Sequence, residues 1–420
     1  MLSDEVIEKV VERLVRRIEI GNEYVLKKIG EGIKKIGTLK PSKAQELVQI
    51  LKYGGDYDKI ARKLAKITEL NVKDIKKIFQ EVAKVDYDFA EQFYKYRNKK
   101  YIPFDENVAL KQQVDAIANA TAKEYINLTQ TSAVAYGMQS KDGTITYKGL
   151  RQTYYDLLDE AVINVGQGKE TFDSAMYRQL KEIGGGGMKV IFPTTYVSKD
   201  ENGNPIIKNR VMRADSAIRM QMKSALRDMH NSIQEQIGNE FDADGVEISV
   251  HLNPAPDHEL VQGRQFSKEQ FNNFQNDTDA VSYDGIEFPA EFEGHDRRSI
   301  SQYNCYHYTF SIVLGVNKPQ YSNEKLQQII DSNDKGFDFD GKHYTMYEGT
   351  QLQRKIETEI RKAKDTQIIA RASDNKELIR ESQERITQLT TKYKQLSEAS
   401  SLPTKANRMR VSGYQRVAIK

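Results

Sequence analysis

Val246-Glu-Ile248-Ser-Val250-His251-Leu-Asn-Pro254-Ala-Pro256-Asp257-His258-Glu-Leu-Val-Gln262-Gly263-Arg264-Gln-Phe266-Ser267 is the stretch on which the reading of this chain turns. Val246, Ile248 and Val250 alternate with polar residues, the period of a half-buried strand. That strand delivers His251 at its C-terminal end, a usual place for a functional side chain. Pro254 and Pro256 each fix one backbone position. Asp257 is placed to cap a short helical turn carrying His258, and Gln262-Gly263 to end it. A short helix is expected after Ser267, followed by an irregular acidic loop over 276–298. Asn304-Cys305-Tyr306-His307-Tyr308-Thr309-Phe310 then alternates again. Read as a strand, it puts Cys305 and His307 on one face and Asn304 and Tyr306 on the other.

Three of the six histidines and the single cysteine fall in these two segments. His251, His258, Cys305 and His307 are all of zinc-ligand type. Their spacing matches no compact finger pattern, and a tetrahedral site requires the two segments to meet. The reading adopted is that no metal or cofactor is bound. His–backbone and His–Asp hydrogen bonds pin a loop, and Cys305 packs as a small apolar residue. The enzymatic alternative is a metal-dependent hydrolase or nuclease using His251, His258 and His307. Asp257-His258 resembles the start of a His-Asn-His nuclease, but that fold needs its Asn and second His on a helix, and here Asn304 and His307 fall on an expected strand.

Working upstream, Asp215-Ser216 is the expected cap of a helix over about 217–237, with Ile218, Met222, Leu226, Met229 and Ile233 inward. Lys189 to Val197 and Ile206 to Val211 flank the turn Asp200-Glu-Asn202-Gly203-Asn204-Pro205, a β-hairpin or β-arm. Gly184 to Gly187 stops a helix over 171–183. These glycines precede a strand and lack Gly-Lys-Ser/Thr, so they are not a phosphate loop. A helix over 148–166 and a turn over 141–144 come before. The first third reads as helices: one over 4–18, short pieces broken by Gly21, Gly30, Gly32 and Gly37, one from Pro41 to about Leu51, one carrying Ile60, Leu64 and Ile67, one over 72–84 capped by Asn71, and one over about 106–135. Between the last two, residues 85–100 interleave aromatics with cations. That pattern suits base stacking, but more often forms a buried face with snorkelling lysines.

Downstream, Asp338 to Tyr347 reads as a tight two-stranded turn. Helices follow from Thr350 to about Ala372 and from Asp374 to Ser397, as a helical hairpin or a coiled-coil arm with a narrow apolar stripe. Glu357 and Arg361 form an i,i+4 pair worth a few tenths of a kcal/mol. After Pro403 the tail is basic and free of acids. Lys405, Arg408, Arg410 and Arg416 are its candidates for phosphate contact, against the plainer reading of a flexible terminus.

The fold class is therefore α+β and predominantly helical. It divides into a helical N-terminal region over 1–135, a small mixed α/β domain with a β-hairpin over 136–348, and a long charged helix or helical hairpin with a basic tail over 349–420. One cysteine among 420 residues excludes an internal disulfide and fits a reducing compartment. The first residues are amphipathic and charged, so no signal peptide is expected, and no apolar run is long enough to span a membrane. Residues 1–100 hold 23 Lys/Arg against 16 Asp/Glu, residues 351–420 hold 16 against 8, and the middle holds 24 against 36. Basic ends flanking an acidic middle point to acidic partners, nucleic acid or protein. They make a DNA-binding accessory protein the third functional reading.

The motif residues also carry a resemblance. His251, Pro254, Pro256-Asp257-His258, Gln262-Gly263 and Phe266-Ser267, followed by Asn304-Cys305-Tyr306-His307 and an apolar run to Gly315, resemble the phage minor capsid protein 2 family, which is related in pattern to the Mu F-type head morphogenesis proteins. The match continues through Tyr321-Ser322 and Gly341-Lys-His343-Tyr344 and covers about residues 150–415. Asn253, Ala255 and Tyr306 depart from it, standing where the family often has Gly, Arg and Arg. The resemblance implies a structural, non-enzymatic virion protein, made in the host bacterial cytoplasm. It implies a place in the capsid interior or at the portal vertex during head assembly, with the portal protein, other capsid proteins and the packaged DNA as partners.

Overall fold

The computed structural model of the chain describes residues 4–37, 55–132, 136–139, 145–148, 169–192, 197–199, 205–207, 210–276, 282–283, 286–287, 298–301 and 305–418. The helices expected over 41–51 and 148–166, the turn over 200–204, most of the acidic loop and Asn304 lie outside these.

Helix α1 (Asp4–Gly37) is continuous. The glycines expected to break it do not, because the apolar stripe Ile7, Val11, Leu14, Ile18, Val25, Ile29 and Ile33 is buried along its whole length. Packing of such a face outweighs the modest cost of a helical glycine. Gly30 is a point of close approach: a Cβ there would meet the Ile369 carbonyl oxygen at 2.7 Å.

Helix α2 (Gly55–Asp88) likewise runs through Asn71, the expected cap. Asn71 is fully buried inside it. Its Nδ2 donates to the Tyr125 hydroxyl at 2.6 Å and the Leu14 carbonyl at 3.2 Å, and its Oδ1 accepts from Arg17 at 3.0 Å. Tertiary hydrogen bonds have taken over the side chain that a cap would use. Short α3 (Glu91–Tyr96) and long α4 (Val108–Ser132) follow. The aromatic run 85–100 is divided. Tyr87 and Tyr94 are buried, whereas Phe89, Phe93 and Tyr96 are exposed.

Strands β1 (Tyr136–Gln139) and β2 (Ile145–Lys148) pair antiparallel; the turn expected over 141–144 lies outside the described residues. Helix α5 (Phe172–Gly186), capped by the Thr171 side chain, runs through the first three glycines of its run and ends at Gly187. The β-arm is present: β3 (Lys189–Phe192) pairs with β6 (Arg210–Arg213), and β4 (Val197–Lys199) with β5 (Pro205–Ile207). Helix α6 (Ala214–Glu240) starts directly from β6, and Arg213 occupies its cap position. Asp215, the expected cap, is instead buried in the first turn as an ion-pair partner. Tyr177, Lys181 and Glu381 join α5 to the C-terminal hairpin.

Strand β7 (Gly245–Ile248) is the centre of a three-stranded antiparallel sheet, between β8 (Gln265–Ser267) and β11 (Thr309–Ile312). Thr309 faces Ile248, and Ser267 faces Gly245. The short α7 (Pro256–Glu259) and α8 (Lys268–Asn276) flank β8. Within the expected irregular loop, β9 (Ser282–Tyr283) pairs with β10 (Ile286–Glu287). Helix α9 (Asn323–Lys335) leads to the hairpin β12 (Phe337–Phe339) and β13 (Lys342–Tyr344).

Helices α10 (Met346–Ala372) and α11 (Lys376–Ser400) form the helical hairpin. Thr345 and Glu348 close a capping box at the start of α10. The narrow apolar stripe is explained by the seam between them. Ile356, Ile360, Leu389, Tyr393 and Leu396 cluster there, and polar pairs fill the gaps: Tyr393 to Glu357 at 2.9 Å, Gln353 to Ser397 at 2.9 Å and Gln367 to Gln383 at 3.0 Å. The expected i,i+4 pair of Glu357 and Arg361 gives way to other partners. Both are buried, and Arg361 bonds Asp215 at 2.8 Å. One apolar cluster reaches from Ile7 through Leu128, Leu180, Met222 and Ile369 to Val411, joining the first helices to the last.

Candidate functional site

A cleft of about 880 Å³ opens between α6, α10 and the segments that follow β7 and precede β11. Of the motif residues, His251, Pro256, Asp257, His258, Cys305 and His307 line it. Asn253 takes a left-handed backbone, φ 57°, a conformation that favours glycine and next asparagine. This accounts for asparagine where the resembled family often has glycine. Pro256 opens α7, and Asp257 lies inside that helix without capping it. Its carboxylate instead takes Arg298 in a two-point grip, with Nε and Nη2 each at 2.7 Å. Burial alone raises the Asp257 pKa, and the Arg298 bonds outweigh it and hold it below the usual carboxylate range. The next residue holds the same arginine by its backbone: His258 Nε2 is 2.7 Å from the Arg298 carbonyl.

Gln262 Oε1 accepts from the His251 backbone N–H at 3.2 Å and lies 3.2 Å from His307 Nε2. Gly263 turns the chain at φ 71°, where a Cβ would strike Val250 and Leu326. Cys305 and His307 do share a side, as predicted, but not on a strand. The ladder begins only at Thr309, and 305–308 is irregular backbone, bent so that sulfur and imidazole face each other. Cys305 Sγ is 3.4 Å from His258 Nδ1 and 3.4 Å from His307 Nδ1. The His251 ring centroid is 4.3 Å from that of His307. The two distant segments therefore meet, and all four candidate ligands border one cleft.

Residues 2–397 match the family of phage minor capsid protein 2. The chain belongs to that family. Comparison with curated proteins and with solved structures gave no match. Among the described residues, no helix of this minor capsid protein is long and apolar enough to cross a membrane.

The opposite wall of the cleft is cationic. Tyr306 lies among Arg354, whose Nη2 is 3.2 Å from its hydroxyl, Lys223 at 5.4 Å and Arg227 at 4.8 Å from its ring centroid. Burial pushes the Tyr306 phenol up, but the cations of Arg354, then Lys223 and Arg408, outweigh it and bring it down to about 7. Tyrosine where the family often has arginine thus gathers cations instead of supplying one.

Glu8 of α1 clamps the same region. It contacts Lys223, Arg219 at 3.1 Å and Arg408 at 2.9 Å. Burial raises its pKa, and Lys223, Arg408 and Arg219 outweigh this and lower it to about 2. Arg408, a candidate phosphate contact, is buried in this cluster, while Lys405, Arg410 and Arg416 are exposed. The tail bonds to the body as far as Val417, whose N–H donates to Gln383 at 3.0 Å. Lys405 N–H donates to the Tyr393 hydroxyl at 3.0 Å, and Ser412 Oγ to Glu23 at 2.6 Å. Sequence reasoning missed Glu8, Arg219 and Lys223, whose partners lie hundreds of positions away. The available signal was a charge on the inward side of an apolar stripe.

Proposed function

We propose that this minor capsid protein acts as a structural, non-catalytic component in head assembly at or near the portal vertex, held there by the portal protein and other capsid proteins. Family membership across residues 2–397 carries this reading. A surface suited to protein contact supports it. Val85 near the end of α2, Phe89 and Phe93 in edge-to-face contact, Tyr96 at the end of α3 and Ile102 beyond it are all exposed, as are Arg97, Lys99 and Lys100. Aromatic residues and arginine are enriched at interfaces. The proposal extends to the packaged genome. Lys63, Lys66, Lys73, Lys76 and Lys77 are exposed along α2, and Lys405, Arg410 and Arg416 along the tail.

Co-expression with the portal protein tests it. A tagged portal ring is expected to retain the full-length chain, and Phe93→Asp with Tyr96→Asp to reduce retention at least tenfold without loss of helical circular dichroism. No co-purification with portal or capsid proteins would remove the assembly reading. DNA contact predicts affinity that falls steeply with salt, and no measurable affinity at low salt would confine the protein to protein contacts.

A further inference from the structure

We propose that His258, Cys305 and His307 form a zinc site. Among the described residues, these three bring ligand atoms within 4.8 Å of one another, and all are buried, at 1%, 2% and 1% exposure. The argument rests on hydrogen bonds that fix which ring nitrogen carries a proton. A carbonyl oxygen only accepts, so His258 Nε2, facing the Arg298 carbonyl, must be the donor. Gln262 Oε1 accepts the His251 backbone N–H, which fixes the amide orientation, so His307 Nε2 must also donate. In each neutral ring the lone pair is then on Nδ1, and both Nδ1 atoms face the Cys305 sulfur. Ligating histidines carry this outer arrangement, the far N–H held by a carbonyl and the near nitrogen bare toward the metal.

The two sulfur-to-nitrogen distances agree. Zinc bonds of about 2.3 Å to sulfur and about 2.0–2.1 Å to nitrogen, at a tetrahedral angle, place sulfur and nitrogen about 3.5 Å apart. Both separations here are 3.4 Å. A thiol carries one proton and satisfies one of these contacts at a time, whereas a divalent ion satisfies both. The His307 backbone N–H also points at the sulfur, at 3.4 Å, and would remain a donor to a metal-bound thiolate. Binding would release the thiol proton to solvent and leave a Zn–S bond. Two imidazoles and a thiolate select zinc over magnesium or calcium. The cleft, which His251 also lines, would leave the fourth position open to a water. Such an ion would cross-link α7 to the segment before β11, where a loop pinned by hydrogen bonds was expected.

The test is metal analysis of the full-length chain, expressed with added zinc and purified without chelator, its affinity tag removed. About one zinc per chain is expected. Cys305→Ser and His258→Ala are expected to lower this at least tenfold, while His343→Ala, on the exposed β12–β13 hairpin, keeps it. Cobalt added to reduced, metal-free, unmutated protein should give a thiolate-to-cobalt charge-transfer band, which decides the matter if the variants fail to fold. Folded protein that retains no zinc and gives no such band overturns the site, as does zinc that survives both substitutions. Neither result bears on portal binding, so this inference and the assembly reading fail separately.

Discussion

Arg213 Nη1 lies 2.8 Å from Asp365 Oδ2, joining the end of β6 to the middle of α10 inside the protein. Arg213 Nε also meets Asp215 at 3.2 Å, and Asp215 meets Arg361 at 2.8 Å, so two cations and two anions balance. Asn22 of α1 donates to Asp365 at 3.1 Å and accepts the Met188 backbone N–H at 2.9 Å. Removing one partner of a buried pair leaves an uncompensated charge, which typically costs about 3–5 kcal/mol. Asp365→Ala is expected to destabilise by about that amount, read as a lowered midpoint in urea unfolding. A loss below about 1 kcal/mol would show that the network adds nothing beyond packing.

This network also marks the limit of what the sequence revealed. Helices and strands announced themselves through local periodicity: the inward faces of α2 and α6, the β-arm, the β12–β13 hairpin and the α10–α11 hairpin all read correctly. The errors fall where a distant partner decides. Gly21 and Gly30 look like breaks until the buried stripe of α1 is seen, Asn71 looks like a cap until Leu14 and Tyr125 are beside it, and Asp215 looks like a cap until Arg213 and Arg361 arrive. At the site, residue identities were legible but their meeting was not. No local pattern brings His258 within reach of Cys305, forty-seven positions on.

Asn71 offers a second test of a tertiary hydrogen bond. Its side chain serves three partners on α1 and α4 from inside α2. Alanine there leaves buried polar groups unmatched, at about 1–3 kcal/mol. Tyr125→Phe removes one of the same bonds, so the double variant should lose less than the sum of the singles. Simple additivity in thermal melts would show that the two side chains are not coupled.

Tyr306 should titrate near neutrality. Its phenol is brought down to about 7 by Arg354, Lys223 and Arg408 against the opposing effect of burial. Ultraviolet difference titration should show one tyrosine ionising near pH 7, absent in Tyr306→Phe and shifted upward in Arg354→Ala. A folded pKa below the unfolded value of 10 means the unfolded chain holds more protons between these values. The contribution to stability is therefore complete above pH 10 and is lost as pH falls through 7. A titration with no tyrosine ionising below pH 9 would contradict the cation cluster.

Glu19 carries the opposite sign. It is buried on α1, and burial, then the charges of Asp215 and Glu12, raise its pKa from 4.5 to about 8. The folded chain holds this proton more tightly than the unfolded chain does, so stability falls as pH rises from about 4.5 to about 8. Glu19→Gln removes the ionisable group while keeping the shape. It should match the parent near pH 4, melt higher than the parent at pH 8, and flatten the slope between. Because the Tyr306 contribution rises over pH 7 to 10 while that of Glu19 falls over 4.5 to 8, melting curves of the two single variants separate the groups by window and by sign. A Glu19→Gln variant that melts lower than the parent at pH 8 would mean that the carboxylate is ionised and held by a cation, not protonated beside Asp215.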